Sequence, residues 1–289
     1  VATVADERTA FLGLGIMGWP QAANLRAAGH ELTVWTRSSD KAQRFASEYG
    51  ATVASSPAEA AAEAGVIITM LPDSPEVERV LDEAEPPAGS LVIDMSTIRP
   101  TASRAIADRL GERGVAFLDA PVTGSRPKAE DGTLTIMVGG DAADLERARP
   151  LFEAMGELIV HAGPHGHGAM VKLINNTLAG VNAAALAEGI TLAQAAGVDL
   201  DAVEKVVGSG SGNSAMLQLK AGPMRDGDFE PLFKLEHMLK DVRHCLSEAR
   251  DLGLDLEVAG SAETRYALAE AEGLGGKDFA AVIRAIDER

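Results

Sequence analysis

Ala10-Phe11-Leu12-Gly13-Leu14-Gly15-Ile16-Met17-Gly18 is the stretch on which the fold turns. A short apolar run ends in glycines spaced G-x-G-x-x-G, and an amphipathic stretch follows over residues 21–28. Strand, glycine turn and helix in that order form the first half of a βαβ unit. Gly13 permits the tight turn, Gly15 lets the backbone approach a pyrophosphate, and Gly18 lets helix and strand pack closely. The helix start then offers N–H groups and a positive dipole end to phosphates. Gly13, Leu14, Gly15, Ile16, Met17 and Gly18 are therefore the candidate dinucleotide cradle.

The next apolar run, 31–36, is expected to end beside the adenosine ribose. An acid there favours NAD. The chain instead reads Trp35-Thr36-Arg37-Ser38-Ser39-Asp40-Lys41. A guanidinium can grip a 2′-phosphate with two parallel hydrogen bonds, and Ser38 can add a third. Arg37 and Ser38 thus favour NADP(H), with NAD(H) as the alternative, while Asp40 is expected to cap the following helix.

Apolar runs at 66–71, 91–95 and 115–118 continue the pattern, with helical stretches at 40–49, 75–82 and 101–111 between strands. Such alternation predicts a doubly wound α/β sheet with helices on both faces. Runs at 134–138 and 158–160 flank a helix near 142–154 and extend the sheet in a direction the sequence leaves open. Beyond Gly168 only helical periodicity remains, beginning with one long helix over 169–196. The turn-rich stretches 208–214 and 222–228 are expected to separate later helices. The resulting division is a tail at 1–8, an α/β domain at 9–165, and an all-α domain at 166–289.

Composition narrows the function. The chain has 289 residues, 46% of them apolar, but only 4% aromatic, so its core must be aliphatic. Its 43 acidic and 26 basic residues give a net charge of −17. That field repels phosphate backbones and anionic membranes, which argues against nucleic-acid and membrane partners. No apolar stretch reaches the roughly 18 residues of a membrane span. The start, 1–8, lacks a signal-peptide pattern, and the lone Cys245 suits a reducing cytoplasm and a place in the core.

The second constellation is Gly163-Pro164-His165-Gly166-His167-Gly168-Ala169-Met170-Val171-Lys172-Leu173-Ile174-Asn175-Asn176. Lys172 and Asn176 lie four apart, on one helix face. A lysine among apolar neighbours can deliver a proton to a carbonyl oxygen, and Asn176 can hold the lysine or the substrate. His165 and His167 lack the further ligands a metal needs and are expected to line the junction of the halves.

With these motifs in order, the chain resembles the β-hydroxyacid dehydrogenase family from about Thr9 to Asp287. Four motifs carry the resemblance: Phe11 to Gly18; Asp119-Ala120-Pro121-Val122-Thr123-Gly124-Ser125; Gly166-x-Gly168-x-x-x-Lys172-x-x-Asn175-Asn176; and Phe233-Lys234-Leu235-Glu236-His237-Met238-Leu239-Lys240-Asp241. The resemblance implies a Rossmann-type domain, a long interdomain helix, a helical C-terminal domain, and homodimers or homotetramers. It places the catalytic lysine at Lys172 with Asn176 beside it. It assigns substrate binding to Ser96, Thr123, Gly124, Phe233 and Asp241, and adds Leu71, Pro72, Thr97 and Lys240 to the cofactor contacts. It further implies hydride exchange between the nicotinamide and a small anionic carboxylate substrate, a β- or γ-hydroxy acid or its semialdehyde. Arg37 and the stretch Ser125-Arg126-Pro127-Lys128-Ala129-Glu130-Asp131-Gly132 are more similar to the succinic semialdehyde and glyoxylate branch; methylmalonate semialdehyde remains a further candidate. An imine reductase-like enzyme and a catalytically silent NADP-binding module are the rival readings. The presence of Lys172 argues against both.

Overall fold

A computed structural model describes residues 7–286. The chain divides into two compact units, Val1–Lys172 and Leu173–Arg289. The expected tail at 1–8 lies outside the described residues as far as residue 6. Glu7 and Arg8 already belong to the fold: Glu7 pairs with Arg147 at 2.8 Å, and the Arg8 carbonyl accepts from the Gly65 N–H.

The first unit contains a nine-stranded sheet. Its strands are β1 (Thr9–Leu12), β2 (Leu32–Trp35), β3 (Thr52–Val53), β4 (Val66–Thr69), β5 (Leu91–Asp94), β6 (Ala116–Asp119), β7 (Val122–Thr123), β8 (Leu134–Gly140) and β9 (Gly156–Gly163). The spatial order is β3-β2-β1-β4-β5-β6-β8-β7, with β9 on β8. Strands β1 to β6 are parallel, β8 runs antiparallel to β6 and β7, and β9 is parallel to β8. Strand order reverses between β1 and β4. At such a switch point the connections diverge to opposite faces and leave a crevice at the carboxyl ends of the strands.

Alternation along each strand feeds two cores. Phe11, Val34, Ile68, Ile93 and Leu118 point to one face, and Ala10, Leu12, Ile67, Val92 and Phe117 to the other. Each fully buried Val, Leu, Ile or Phe side chain contributes roughly 1.5–3 kcal/mol. The covering helices are α1 (Gly18–Ala27), α2 (Ser39–Tyr49), α3 (Pro57–Ala61), α4 (Ser74–Ala84), α5 (Pro100–Gly111), α6 (Ser125–Asp131) and α7 (Ala142–Met155). One expectation is corrected: Ser38, not Asp40, occupies the N-cap of α2. Asp40 lies in the first turn, where its charge favours the helix dipole.

The second unit is helical. Helix α8 (His167–Ala196) gives its residues as far as Lys172 to the first unit and the rest to the second. Then follow α9 (Leu200–Ser209), α10 (Ala215–Asp226), α11 (Leu235–Asp251), α12 (Glu257–Ala269) and a short 3-10 segment (Phe279–Ala285). Small residues let helices approach: a Cβ at Gly180 would lie 2.9 Å from the sulfur of Met238. The Tyr266 hydroxyl donates to the Gly180 carbonyl at 2.9 Å. The turn expected over 222–228 is a second correction. Helix α10 continues to Asp226 with Pro223 inside it, and the chain turns only at Gly227, where φ is +70°. Pro223 forgoes one backbone N–H bond to the preceding turn, a local cost that does not end the helix. No described helix is long and apolar enough to cross a membrane.

Candidate active site

Sterics shape the glycine turn. Gly13 has φ +111°, and a Cβ there would collide with the Met70 carbonyl oxygen. A Cβ at Gly18 would collide with the carbonyl of Gly13, so the start of α1 rests directly on the end of β1. At Gly15, by contrast, a Cβ would meet nothing within 4 Å. Gly15 and Ile16 are exposed, while Leu14 is fully buried and can offer only its backbone. No side chain caps the first N–H groups of α1. An open backbone face beside an uncapped helix start fits a pyrophosphate. Arg37 and Ser38, beyond β2, are exposed.

At the carboxyl ends of β4, β5 and β6, Thr69, Asp94 and Asp119 form one row in register. The Thr69 hydroxyl donates to Oδ1 of Asp94 at 2.7 Å, and the Ser96 N–H donates to the same oxygen at 3.2 Å. The Ser96 hydroxyl in turn accepts from the Leu71 N–H at 2.9 Å. Asp94 thereby fixes the two loops that carry Leu71, Pro72, Ser96 and Thr97. Burial pushes the Asp94 carboxyl up to about 6 against the pull of these donors, and the neighbouring Asp119 charge adds to the rise.

Asp119 performs a parallel task for α8. Its Oδ1 accepts from the Gly166 N–H at 2.7 Å and its Oδ2 from the Ala169 N–H at 2.8 Å. Lys172 sits one turn further along, 7% exposed. In the same unit, Thr123 ends β7, and Gly124 (φ +136°) leads into α6. The Lys128 side chain packs against Gly124, within 2.7 Å of where a Cβ would stand. The histidines serve backbone carbonyls: His165 contacts the Phe117 oxygen at 2.9 Å, and His167, the first residue of α8, reaches that of Ala162 at 3.3 Å. Among the described residues no group of His, Cys, Asp and Glu could hold a metal ion, and Cys245 is buried.

The second unit gathers Asn176, Lys240 and Asp241. The Asn176 amide donates to Oδ2 of Asp241 at 2.6 Å, and the Lys240 ammonium lies 3.0 Å from Oδ1. Asn175 donates to the side-chain oxygen of Asn176 at 3.1 Å. The amide orientation of Asn176 is therefore set from both sides. Phe233 lies in the segment before α11, edge-on to Phe279.

Comparison with known proteins agrees with this geometry. Residues 8–163 match the family described as the NAD binding domain of 6-phosphogluconate dehydrogenase. Residues 166–286 match that described as NAD-binding of NADP-dependent 3-hydroxyisobutyrate dehydrogenase. The chain belongs to the β-hydroxyacid dehydrogenase family. It is 36% identical to glyoxylate/succinic semialdehyde reductase 2, chloroplastic, of Arabidopsis thaliana, over 96% of this chain and 78% of that one. It is 38% identical to an NAD-dependent L-serine dehydrogenase of Pseudomonas aeruginosa, over 97% and 98%. A solved Mycobacterium tuberculosis 3-hydroxyisobutyrate dehydrogenase with L-serine superposes with a TM-score of 0.90 at 35% identity, over 97% and 99%. The dehydrogenase is thus an NAD(P)-dependent oxidoreductase, built from a Rossmann-type domain and an all-helical C-terminal domain.

Several residues that organise this dehydrogenase escape a reading by motif. Asp94 sits in an apolar strand run and gives no local signal. Asp119 belongs to a recognised motif, but its grip on α8 depends on residues 47 and 50 positions away. Asp278 is a hub of the second unit. It pairs with Lys220 at 2.7 Å and accepts from the N–H groups of Leu232 at 3.1 Å, Phe233 at 3.2 Å and Ala280 at 3.0 Å. The segment carrying Phe233 is therefore held by a buried ion pair with members 58 residues apart.

Proposed function

We propose that this dehydrogenase uses NADP(H) to interconvert a small β- or γ-hydroxy acid and its semialdehyde, of the succinic semialdehyde, glyoxylate or methylmalonate semialdehyde class. Lys172 is its general acid–base group. The burial of that lysine carries the reading: removing an ammonium from water is costly, and the cost is justified where a proton must move.

In this reading residues 9–165 bind the dinucleotide, and residues 166–289, beginning with the long helix, supply the acid–base machinery. When bound, the nicotinamide supplies or accepts the hydride. Backbone N–H groups from Gly13 to Gly18 hold the pyrophosphate, with Leu71, Pro72, Thr97 and Lys240 as further contacts. Arg37 and Ser38 receive the 2′-phosphate. The Thr123 hydroxyl and the Gly124 N–H bind the substrate carboxylate, and Ser96, Phe233 and Asp241 contact the rest of the substrate. Lys172 protonates the carbonyl oxygen during reduction and accepts the hydroxyl proton during oxidation, while Asn176 orients the pair. Relatives named for glyoxylate, succinic semialdehyde and 3-hydroxyisobutyrate support the substrate class. Exposed apolar residues of the helical half, among them Leu192, Val206 and Val258, support assembly as a homodimer or homotetramer. The lone buried cysteine suits a cytoplasmic setting.

A spectrophotometric panel of the three aldehydes with NADPH and NADH tests this. Turnover with NADPH is expected for at least one aldehyde. Lys172→Ala should lower kcat about 10²–10⁴-fold with NADPH binding retained. Arg37→Ala should raise the KM for NADPH and leave that for NADH unchanged. Near-parental turnover in Lys172→Ala would overturn the assignment.

A further inference from the structure

We propose that Asp119 is a positioning residue for Lys172: its carboxylate clamps the first turn of α8 to the strand ends and so sets where the ammonium group stands. This rests on the reading of Lys172 as the acid–base group.

Three observations carry it. First, the two carboxylate oxygens take separate N–H groups from the start of the helix, Gly166 at 2.7 Å and Ala169 at 2.8 Å. A helix start carries unsatisfied N–H groups and a positive dipole end, so an ionised acceptor there fixes both position and direction. Second, paired glycines bring the helix within reach. A Cβ on Gly168 would lie 2.6 Å from the Asp119 carbonyl oxygen and 2.8 Å from the Gly139 nitrogen. A Cβ on Gly139 would lie 2.6 and 2.7 Å from the two carboxylate oxygens. Both glycines are thus required by the clamp itself, which gives a physical reason for Gly168 ahead of the lysine. Third, the loop before the helix is tied to the same strand, through His165 on the Phe117 carbonyl.

The lever arm is short. Lys172 lies three residues beyond Ala169, roughly 4.5 Å along the axis. A tilt or fraying of the first turn therefore reaches the ammonium almost undiminished. Burial of Asp119 raises its carboxyl, and the two N–H groups oppose that rise, so charge and clamp depend on each other.

The test is Asp119→Asn, which keeps the shape but leaves one acceptor oxygen for two N–H groups. Amide hydrogen exchange over 166–172 should quicken at least tenfold. NADPH affinity should stay within about twofold of the parent. The kcat per NADPH-binding site should fall ~10- to 100-fold, and the alkaline limb of its pH profile in the reducing direction should move. If Asp119→Asn fails to fold, Gly139→Ala perturbs the same carboxylate without removing its charge, and the same changes are expected. A merely structural Asp119 would lower the melting temperature yet leave kcat per site and the pH limb at parental values; that result overturns the proposal. Lys172→Ala run alongside separates the two claims. An inactive Lys172→Ala with an unaffected Asp119→Asn defeats the clamp alone, whereas an active Lys172→Ala defeats both.

Discussion

Asp119 and Asp278 are both buried carboxylates that grip backbone N–H groups of a distant segment, one in each half of the chain, yet they are neutralised by different means. Asp119 faces the N–H groups that open α8, and the helix dipole stands in for a counterion. Asp278 holds the segment before α11 through the N–H groups of Leu232 and Phe233, and beside it lies the ammonium of Lys220, over the ring of Phe279. A dipole-neutralised acid cannot be separated from the helix it caps. An acid neutralised by a side chain can lose its cation while every backbone contact remains in place. The second half can therefore be dissected by substitution in a way that the first cannot.

Lys220→Met is the most severe way to break this contrast. It leaves a buried carboxylate uncompensated, and removing one member of a buried pair costs about 3–5 kcal/mol. Urea unfolding should show a loss of that order. A loss below about 1 kcal/mol would mean that backbone N–H groups suffice for Asp278 as well, and the two sites would then be equivalent.

Asp94 supplies an intermediate case: fully buried, in register with Asp119, and with an Oδ2 that has no hydrogen-bond partner. Its carboxyl is raised from 3.8 to about 6, chiefly by burial. Between those values the native chain holds a proton that the unfolded chain has released. Stability from this group is thus greatest below 3.8, falls as pH rises through the window, and is at its lowest above about 6. Asp94→Asn keeps an acceptor for Thr69 and Ser96 but cannot ionise. Relative to the parent, the variant should gain up to about 3 kcal/mol between pH 4 and pH 7, read from urea midpoints at both. Parallel pH dependence in the two proteins would show that Asp94 carries its charge throughout.

A smaller effect sharpens the comparison further. In Lys220→Met with Asp278→Asn, neither charge remains and the amide oxygen can still accept from the backbone. The double variant should recover about 1–2 kcal/mol over Lys220→Met alone. Failure to recover would show that the carboxylate, rather than its charge balance, holds the Phe233 segment.

The two halves also differ in how far their sequence discloses them. The glycine turn is legible because much of its requirement is local: Gly13 has a positive φ, and a Cβ at Gly18 would strike the Gly13 carbonyl in the same turn. Helix periodicity puts Lys172 and Asn176 on one face, while the roles proposed for them come from the family resemblance. Short elements such as β3, β7 and α6 carry too few residues to show a period, and they exist only because β2 and β8 pair with them or α1 packs beside them. The stretch 222–228 misleads because glycine and proline signal a turn wherever they occur, whereas the last turn of α10 accommodates both. Asp278 and Lys220 are illegible for the opposite reason. Each is an ordinary charged residue locally, and only the folded chain brings them to 2.7 Å.

The mildest perturbation falls on a segment that no carboxylate clamps. Ser125, at the start of α6, has φ +57°, one of two positive φ values among the described non-glycine residues. An L side chain in that region carries strain of roughly 1 kcal/mol. Ser125→Gly removes it but gives the unfolded chain more freedom, which offsets part of the gain. The net effect should be a stabilisation of at most about 0.5 kcal/mol, seen as a small rise in melting temperature. Gly124 beside it already has φ +136°, so two adjacent glycines would loosen the loop assigned to the substrate carboxylate. A raised KM for the aldehyde with unchanged kcat is therefore expected, and a changed kcat would instead place Ser125 among the groups that act on the reacting carbonyl.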